Sequence, residues 1–151
     1  MRKRTEAEKI AMGRIVPVLE RLRIKKTTRA YVPLLDFMSY AAAYPDVEFN
    51  DIVKLLLEGN TYIGVNLADK DSENQLMPSM VRTIETALER GKNEYLHEIG
   101  ISEEVIRRVL NSQDYDPEDL LQVLGEKYQK YTHEERIVYY FVKKVLKYLK
   151  Y

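Results

Sequence analysis

The chain has 151 residues, of which 45% are hydrophobic and 32% are charged, and it contains no cysteine. This length suffices for one domain with its own core, and the lack of cysteine excludes disulfide scaffolds, thiolate zinc sites and cysteine nucleophiles. No apolar run approaches the roughly 18 residues of a membrane span, and the basic N-terminus is followed by polar residues rather than a signal-peptide core. The sequence therefore predicts a single cytoplasmic domain over residues 1–151, with no membrane partner.

The formal net charge of zero is the sum of three unequal blocks. Residues 1–30 contain ten basic and three acidic residues, residues 31–124 contain seven and eighteen, and residues 125–151 contain seven and three. Two basic ends around an acidic middle indicate contact with a polyanion, contact between subunits, or both. High charge without cysteine is typical of hyperthermophile proteins, which favours an archaeal or other thermophilic source.

Helical periodicity dominates the first part of the chain. An apolar stripe from Ala11 to Leu22 predicts an amphipathic helix, and Pro17 inside it predicts a kink or the start of a second piece. A second, apolar helix is expected over residues 33–44, with Pro33 in its first turn.

The middle of the chain gives mixed signals. A third helix is predicted between Asn50, which is expected to be its N-cap, and Gly59, which is expected to end it. Its residues are apolar enough for it to be buried. Residues 61–67 have strand character, which leaves room for one small β-hairpin near residues 60–68. The polar run that follows predicts a loop over 68–77 that can act as a hinge.

Further helices are expected to the C-terminus. One is predicted from about Pro78 to Arg90 and ends at Gly91. Capping signals start three more, at Ser102, at the acidic and proline-containing run 116–119, and at the capping box 132–135. The fold class predicted is all-α, a compact bundle of six to eight helices.

The last helix has an apolar arc and an opposite arc in which lysines alternate with tyrosines: Lys143, Lys147, Lys150, Tyr139, Tyr140 and Tyr151. Such a face can track a phosphate backbone and stack bases, as single-strand binders do. Two alternatives are a solvated face and a helix lying on an anionic membrane.

A second candidate nucleic-acid-binding group lies in the N-terminal block. Arginine outnumbers lysine there, which suits bidentate phosphate contact. The competing interpretation is that this group pairs with the acidic middle of the chain. Its members are Arg2, Lys3, Arg4, Arg14, Arg21, Arg23, Lys25, Lys26 and Arg29.

Residues 95–110 resemble a DNA-binding helix-turn-helix, with Gly100 at the turn and Ser102 capping the second helix. The resemblance implies that the second helix enters the major groove. Two features depart from the family: Leu96 stands where a small residue is usual, and Glu103 with the glutamate after it occupies base-reading positions that phosphate repels.

Candidates for metal binding or catalysis are incomplete. Glu94 and His97 have the Glu-x-x-His spacing of di-iron bundles, but the only other histidine, His133, has no such partner. No glycine loop that would cradle a phosphate is present. We therefore predict a non-enzymatic protein with no metal and no cofactor.

In size, helical content and thermophile composition the chain resembles the small subunits of archaeal CRISPR interference complexes. The resemblance implies a helical, non-catalytic subunit in antiviral defence that helps to hold a guide duplex or a displaced strand. The predicted function is binding of RNA or single-stranded DNA without sequence specificity through both basic ends, with other subunits or further copies of the chain as partners. The alternatives are a helix-turn-helix regulator using residues 95–110 and a protein-only adaptor.

Overall fold

The computed structural model describes residues 3–28, 30–57, 70–91, 94–111 and 117–151. Within these ranges the regular elements are eight α-helices and a 3-10 helix, with no strand, which confirms the all-α prediction. The β-hairpin considered near residues 60–68 lies outside the described residues. The α-helices are α1 (Glu6–Arg21), α2 (Tyr31–Ala43), α3 (Phe49–Leu57), α4 (Lys70–Gly91), α5 (Glu94–Ile99), α6 (Glu103–Asn111), α7 (Glu118–Leu124) and α8 (His133–Tyr148), with the 3-10 helix (Gly125–Lys130) between the last two.

Helix α1 continues through Pro17 without dividing into two pieces. The buried residues on both sides of the proline, among them Ile15 and Leu19, belong to one core-facing stripe. Packing of this stripe compensates for the hydrogen bond that proline cannot donate. Thr5 begins the helix, and its hydroxyl accepts a hydrogen bond from the amide of Glu8 at 3.3 Å.

The prediction of a loop over 68–77 is wrong for residues 70–77, because α4 begins at Lys70 and Pro78 lies inside it. The polar run that indicated a turn forms the first turns of the helix. The predicted end of this helix at Gly91 is confirmed.

The predicted caps were partly correct. Ser102 and Thr132 cap α6 and α8, the latter in a complete capping box. By contrast, α3 begins at Phe49, so Asn50 lies within it rather than at its N-cap, and only one side of α3 is buried, through Ile52 and Leu56. The sequence predicts both capping hydroxyls because the partner of each is three residues away.

Helix α8 is the centre of the bundle and contacts α2, α4, α5, α6 and α7. Every residue from Ile137 to Val142 is buried, and Tyr139 and Tyr140 are both 0% exposed. The prediction that these two tyrosines stack bases on an exposed face is therefore wrong. Helical periodicity assumes one buried side, whereas neighbouring helices enclose the first half of α8 on all sides.

The ring of Tyr139 belongs to an aromatic cluster in the core. It is stacked on Phe37 of α2, with ring centroids 5.8 Å apart, and meets Phe49 and Tyr131 edge to face at 5.0 and 4.8 Å. Its hydroxyl donates to Oδ1 of Asn50 at 2.6 Å. Such geometries favour a fixed ring orientation beyond the burial of area alone, so the cluster sets how α3 lies against α8.

The hydroxyl of Tyr140 joins three helices. It donates to Oδ2 of Asp119 on α7 and accepts from the amide of Ser102, the N-cap of α6, at 3.3 Å. Both tyrosine hydroxyls thus have the partners that buried polar groups require.

An ion pair with a buried carboxylate fixes the segment that precedes α1 against α2. Nη2 of Arg4 lies 2.7 Å from Oδ1 of Asp36, whose side chain is 0% exposed. Nearby, the hydroxyl of Tyr44 donates to Oγ1 of Thr5 at 3.0 Å. Removing one member of a buried pair leaves a desolvated charge, which is much more costly than breaking an exposed pair.

We expect Arg4→Met to lower the free energy of unfolding by about 3 kcal/mol, because the buried Asp36 carboxylate loses the cation that lies 2.7 Å from its Oδ1. Arg107→Met is the matched control, since it breaks an exposed pair with Glu103 one helical turn away. The control should cost about 0.5 kcal/mol or less. Denaturant titrations followed by circular dichroism measure both values, and equal losses would contradict the structural role of Arg4.

Burial and neighbouring carboxylates raise the pKa of Tyr139 and Tyr140 well above the ordinary value of 10.0. The folded-state pKa thus exceeds the unfolded-state one, so this contribution to stability is complete below pH 10 and is lost as the pH rises further. In an alkaline titration, tyrosinate absorbance should show a class of the twelve tyrosines that ionises only together with loss of the helical signal. Ionisation of all twelve near pH 10 in a folded chain would contradict this burial.

Candidate functional site

A cavity of about 470 Å³ opens beside the second half of α8, where that helix is no longer enclosed. One wall is formed by α8 and the opposite walls by α7, the end of α2 and the start of α3. The volume lies within the range usual for small-ligand pockets. Its lining includes three lysines, one aspartate and two aromatic residues, namely Lys143, Lys144, Lys147, Asp119, Phe49 and Tyr151.

Lys143 lies between the apolar wall and the end of α7. Its Nζ donates to the carbonyl oxygen of Val123 at 3.3 Å and is 5.7 Å from the ring centroid of Phe49. Partial burial, and then the positive charge of Lys127, lower the pKa of Lys143. Lys127 itself is paired with Glu48. Lys143 makes no ion pair with any described residue, so its charge is compensated only by dipoles.

Lys144 differs from its neighbour because a carboxylate within the fold pairs with it. Its Nζ lies 3.1 Å from Oδ1 of Asp119 and 5.6 Å from the ring centroid of Tyr140. The same Asp119 accepts the hydroxyl of Tyr140. Lys144 therefore belongs to the hydrogen-bonded core, and its charge is already balanced at the cavity wall.

Lys147 and the C-terminus complete the cavity. Lys147 is exposed, one helical turn beyond Lys143, and it makes no ion pair within the described part of the chain. Tyr151 stays 43% exposed, and the guanidinium of Arg14 lies 4.7 Å from its ring centroid. Arg14 also donates to the carbonyl oxygen of Leu149. One residue of the basic N-terminal group thus lies against the C-terminal one.

The structure separates the predicted N-terminal residues into several groups. Arg4 faces Asp36, so its prediction as an exposed nucleic-acid contact is wrong, since the buried carboxylate requires it. Arg21 lies over the ring of Tyr95, 3.8 Å from its centroid, and 3.5 Å from Glu98. The other described members that lie at the surface are Lys3, Arg14, Arg23, Lys25 and Lys26, whereas Arg2 and Arg29 lie outside the described residues.

Of the C-terminal set, Lys143, Lys147 and Tyr151 are brought together, and Lys150 is exposed at the end of the helix. The sequence did not point to Phe49, Asp119 or Lys144. Lys144 is adjacent to Lys143 in the sequence, but it does not lie on the helical face that contains Lys143, Lys147 and Lys150. The other two come from distant helices, and no local pattern connects them with α8.

The helix-turn-helix segment is present as a local shape. Helices α5 and α6 are joined at Gly100, whose φ of +91° explains the glycine there. Leu96 is buried, and Glu103 at the start of α6 pairs with Arg107 at 2.6 Å. The first turn of α6 therefore presents a neutralised pair rather than a positive surface to a phosphate backbone.

In the described ranges, no three histidine, cysteine, aspartate or glutamate side chains are grouped so that they could hold a metal ion. None of the described helices combines the length and apolarity that a bilayer-crossing segment needs. The lysine-lined cavity is therefore the strongest candidate site.

Comparison with known proteins gives no relative for this chain: no protein-family model, no curated protein and no solved structure matches it.

Proposed function

We propose that the chain is a non-catalytic subunit of a nucleoprotein assembly and binds RNA or single-stranded DNA without sequence specificity. The observation that supports this proposal best is the cavity beside α8, where Lys143 and Lys147 lie together without acidic partners in the described structure. Lysines beside aromatic rings are what sequence-tolerant single-strand binders use. A CRISPR interference complex is one assembly in which such a subunit would serve.

The proposed contact surface is narrower than the two basic ends of the sequence. It consists of Lys143, Lys147 and Lys150, with Tyr151 as the available stacking ring. The exposed lysines and arginines of α1 and the segment after it are a second, weaker surface. Arg14 links the two, because it packs on Tyr151.

Neutralising the cavity lysines should weaken binding and reduce its salt dependence. We expect the double variant Lys143→Gln with Lys147→Gln to lose about tenfold in affinity for single strands at low salt. Two lost phosphate contacts should make the slope of log affinity against log salt shallower by about 1.4. The measurement is fluorescence anisotropy with labelled single-stranded RNA, single-stranded DNA and duplex DNA of unrelated sequences, across a salt series.

The matched control is Lys54→Gln with Lys130→Gln, which removes the same charge from exposed positions away from the cavity. If both double variants lost affinity equally, the binding would follow net charge and the cavity would not be its site. Binding restricted to one duplex sequence would instead favour the helix-turn-helix regulator. Self-association that dissolves in salt, without binding to any nucleic acid, would favour the protein-only adaptor.

A further inference from the structure

The cavity is large enough for one nucleotide of a nucleic-acid strand, but not for several nucleotides in a row. Sites that track a single-stranded backbone extend over about 4–16 nucleotides. A cavity of about 470 Å³ has the volume of a small-ligand pocket. The interior of a strand would lie across the exposed lysines, and its end would enter the cavity.

The charge of the cavity indicates which end group would fit. Among the side chains of its lining, three lysines against one aspartate leave two net positive charges. Asp119 pairs with Lys144 at 3.1 Å, so Lys143 and Lys147 are the cations left for a ligand. A backbone diester has one negative charge, whereas a phosphomonoester has about −1.5 to −2 at pH 7. Two uncompensated lysines therefore match a terminal phosphate better than an internal one.

Aromatic surface is present at the same site. The ring of Tyr151 lines the cavity, remains partly exposed and is backed by the guanidinium of Arg14. Every base has a face that can stack on such a ring, which makes the contact tolerant of sequence. Phe49 lies deeper and is already packed against Phe37 and Tyr139, so it forms the floor.

We propose, as an extension that rests on the proposed function, that this cavity receives the terminal nucleotide of a single strand. The phosphomonoester lies between Lys143 and Lys147, and the base lies against Tyr151. A free mononucleotide has the same chemistry and should occupy the same place. An anion beside Lys143 also supplies a charge partner, which this lysine lacks among the described residues, and should raise its lowered pKa.

The test compares short oligonucleotides of one sequence that have a 5′-phosphate, a 3′-phosphate or hydroxyls at both ends. Their affinities are measured by anisotropy, and AMP, adenosine and inorganic phosphate are titrated by calorimetry. We expect a phosphate at one of the two ends to increase affinity about tenfold, through charge-assisted hydrogen bonds. AMP should bind more tightly than adenosine or inorganic phosphate.

Two variants distinguish the contribution of the phosphate to binding from that of the base. Lys143→Gln with Lys147→Gln should abolish the advantage of the terminal phosphate, whereas Lys54→Gln with Lys130→Gln should retain it. Tyr151→Ala should weaken AMP binding about tenfold and leave binding of inorganic phosphate unchanged, because stacking contributes only with the base.

The outcomes distinguish this inference from the proposed function. Equal affinity for phosphorylated and unphosphorylated strands, both weakened by the cavity variant, would overturn the inference and retain single-strand binding. Binding of AMP without binding of any strand would retain the nucleotide cavity and overturn the nucleoprotein role. No binding of strand or nucleotide at low salt would overturn both.

Discussion

Two tyrosine hydroxyls inside the core are the constraint on which the arrangement of the helices depends. Tyr139 and Tyr140 are consecutive in α8, so their side chains leave the helix in different directions, and both are fully buried. A buried hydroxyl without a partner is costly. Each therefore requires a polar group from another helix at a fixed distance, Asn50 for one and Asp119 for the other. Apolar packing alone would allow these helices to slide, whereas the hydrogen bonds specify their positions.

The same requirement shapes the candidate site. Asp119 accepts the hydroxyl of Tyr140 with one oxygen and pairs with Lys144 through the other. This carboxylate therefore contacts both the core and the cavity wall. Because it pairs with Lys144, the charge of Lys144 is balanced and does not attract a ligand. Lys143 and Lys147 are left, and both line the cavity beside the second half of α8. The position of Asp119, held by its hydrogen bond with Tyr140, thus gives Lys144 a structural role and leaves Lys143 and Lys147 available to a ligand.

Much of the fold could be predicted from the sequence because its signals are local. The cap at Ser102, the capping box at Thr132 and the stop at Gly91 each depend on residues within one turn. Errors arose where burial was decided by distant helices. Tyr139 and Lys143 share a helical face, yet the first is enclosed by Phe37, Phe49 and Tyr131 and the second borders a cavity. The sequence predicts two of the cavity lysines, Lys143 and Lys147. The walls opposite these lysines come from α3 and α7, and the periodicity of α8 cannot predict which residues of other helices lie there.

The charge pattern of the sequence has two consequences in the fold. Within the described ranges, four ion pairs join a basic end to the acidic middle: Arg4 with Asp36, Arg21 with Glu98, Lys127 with Glu48 and Lys144 with Asp119. Part of the segregated charge is thus balanced within the chain, most strongly where Asp36 is buried. The pairs of Arg21 and Lys127 are exposed and contribute little to stability, so these pairs chiefly determine which cations are left over. Lys143 and Lys147, which have no such partner in the described structure, line one cavity. Because long-range attraction depends on uncompensated charge, an anionic ligand would be drawn to this end of α8 rather than to the basic residues that the fold has already paired.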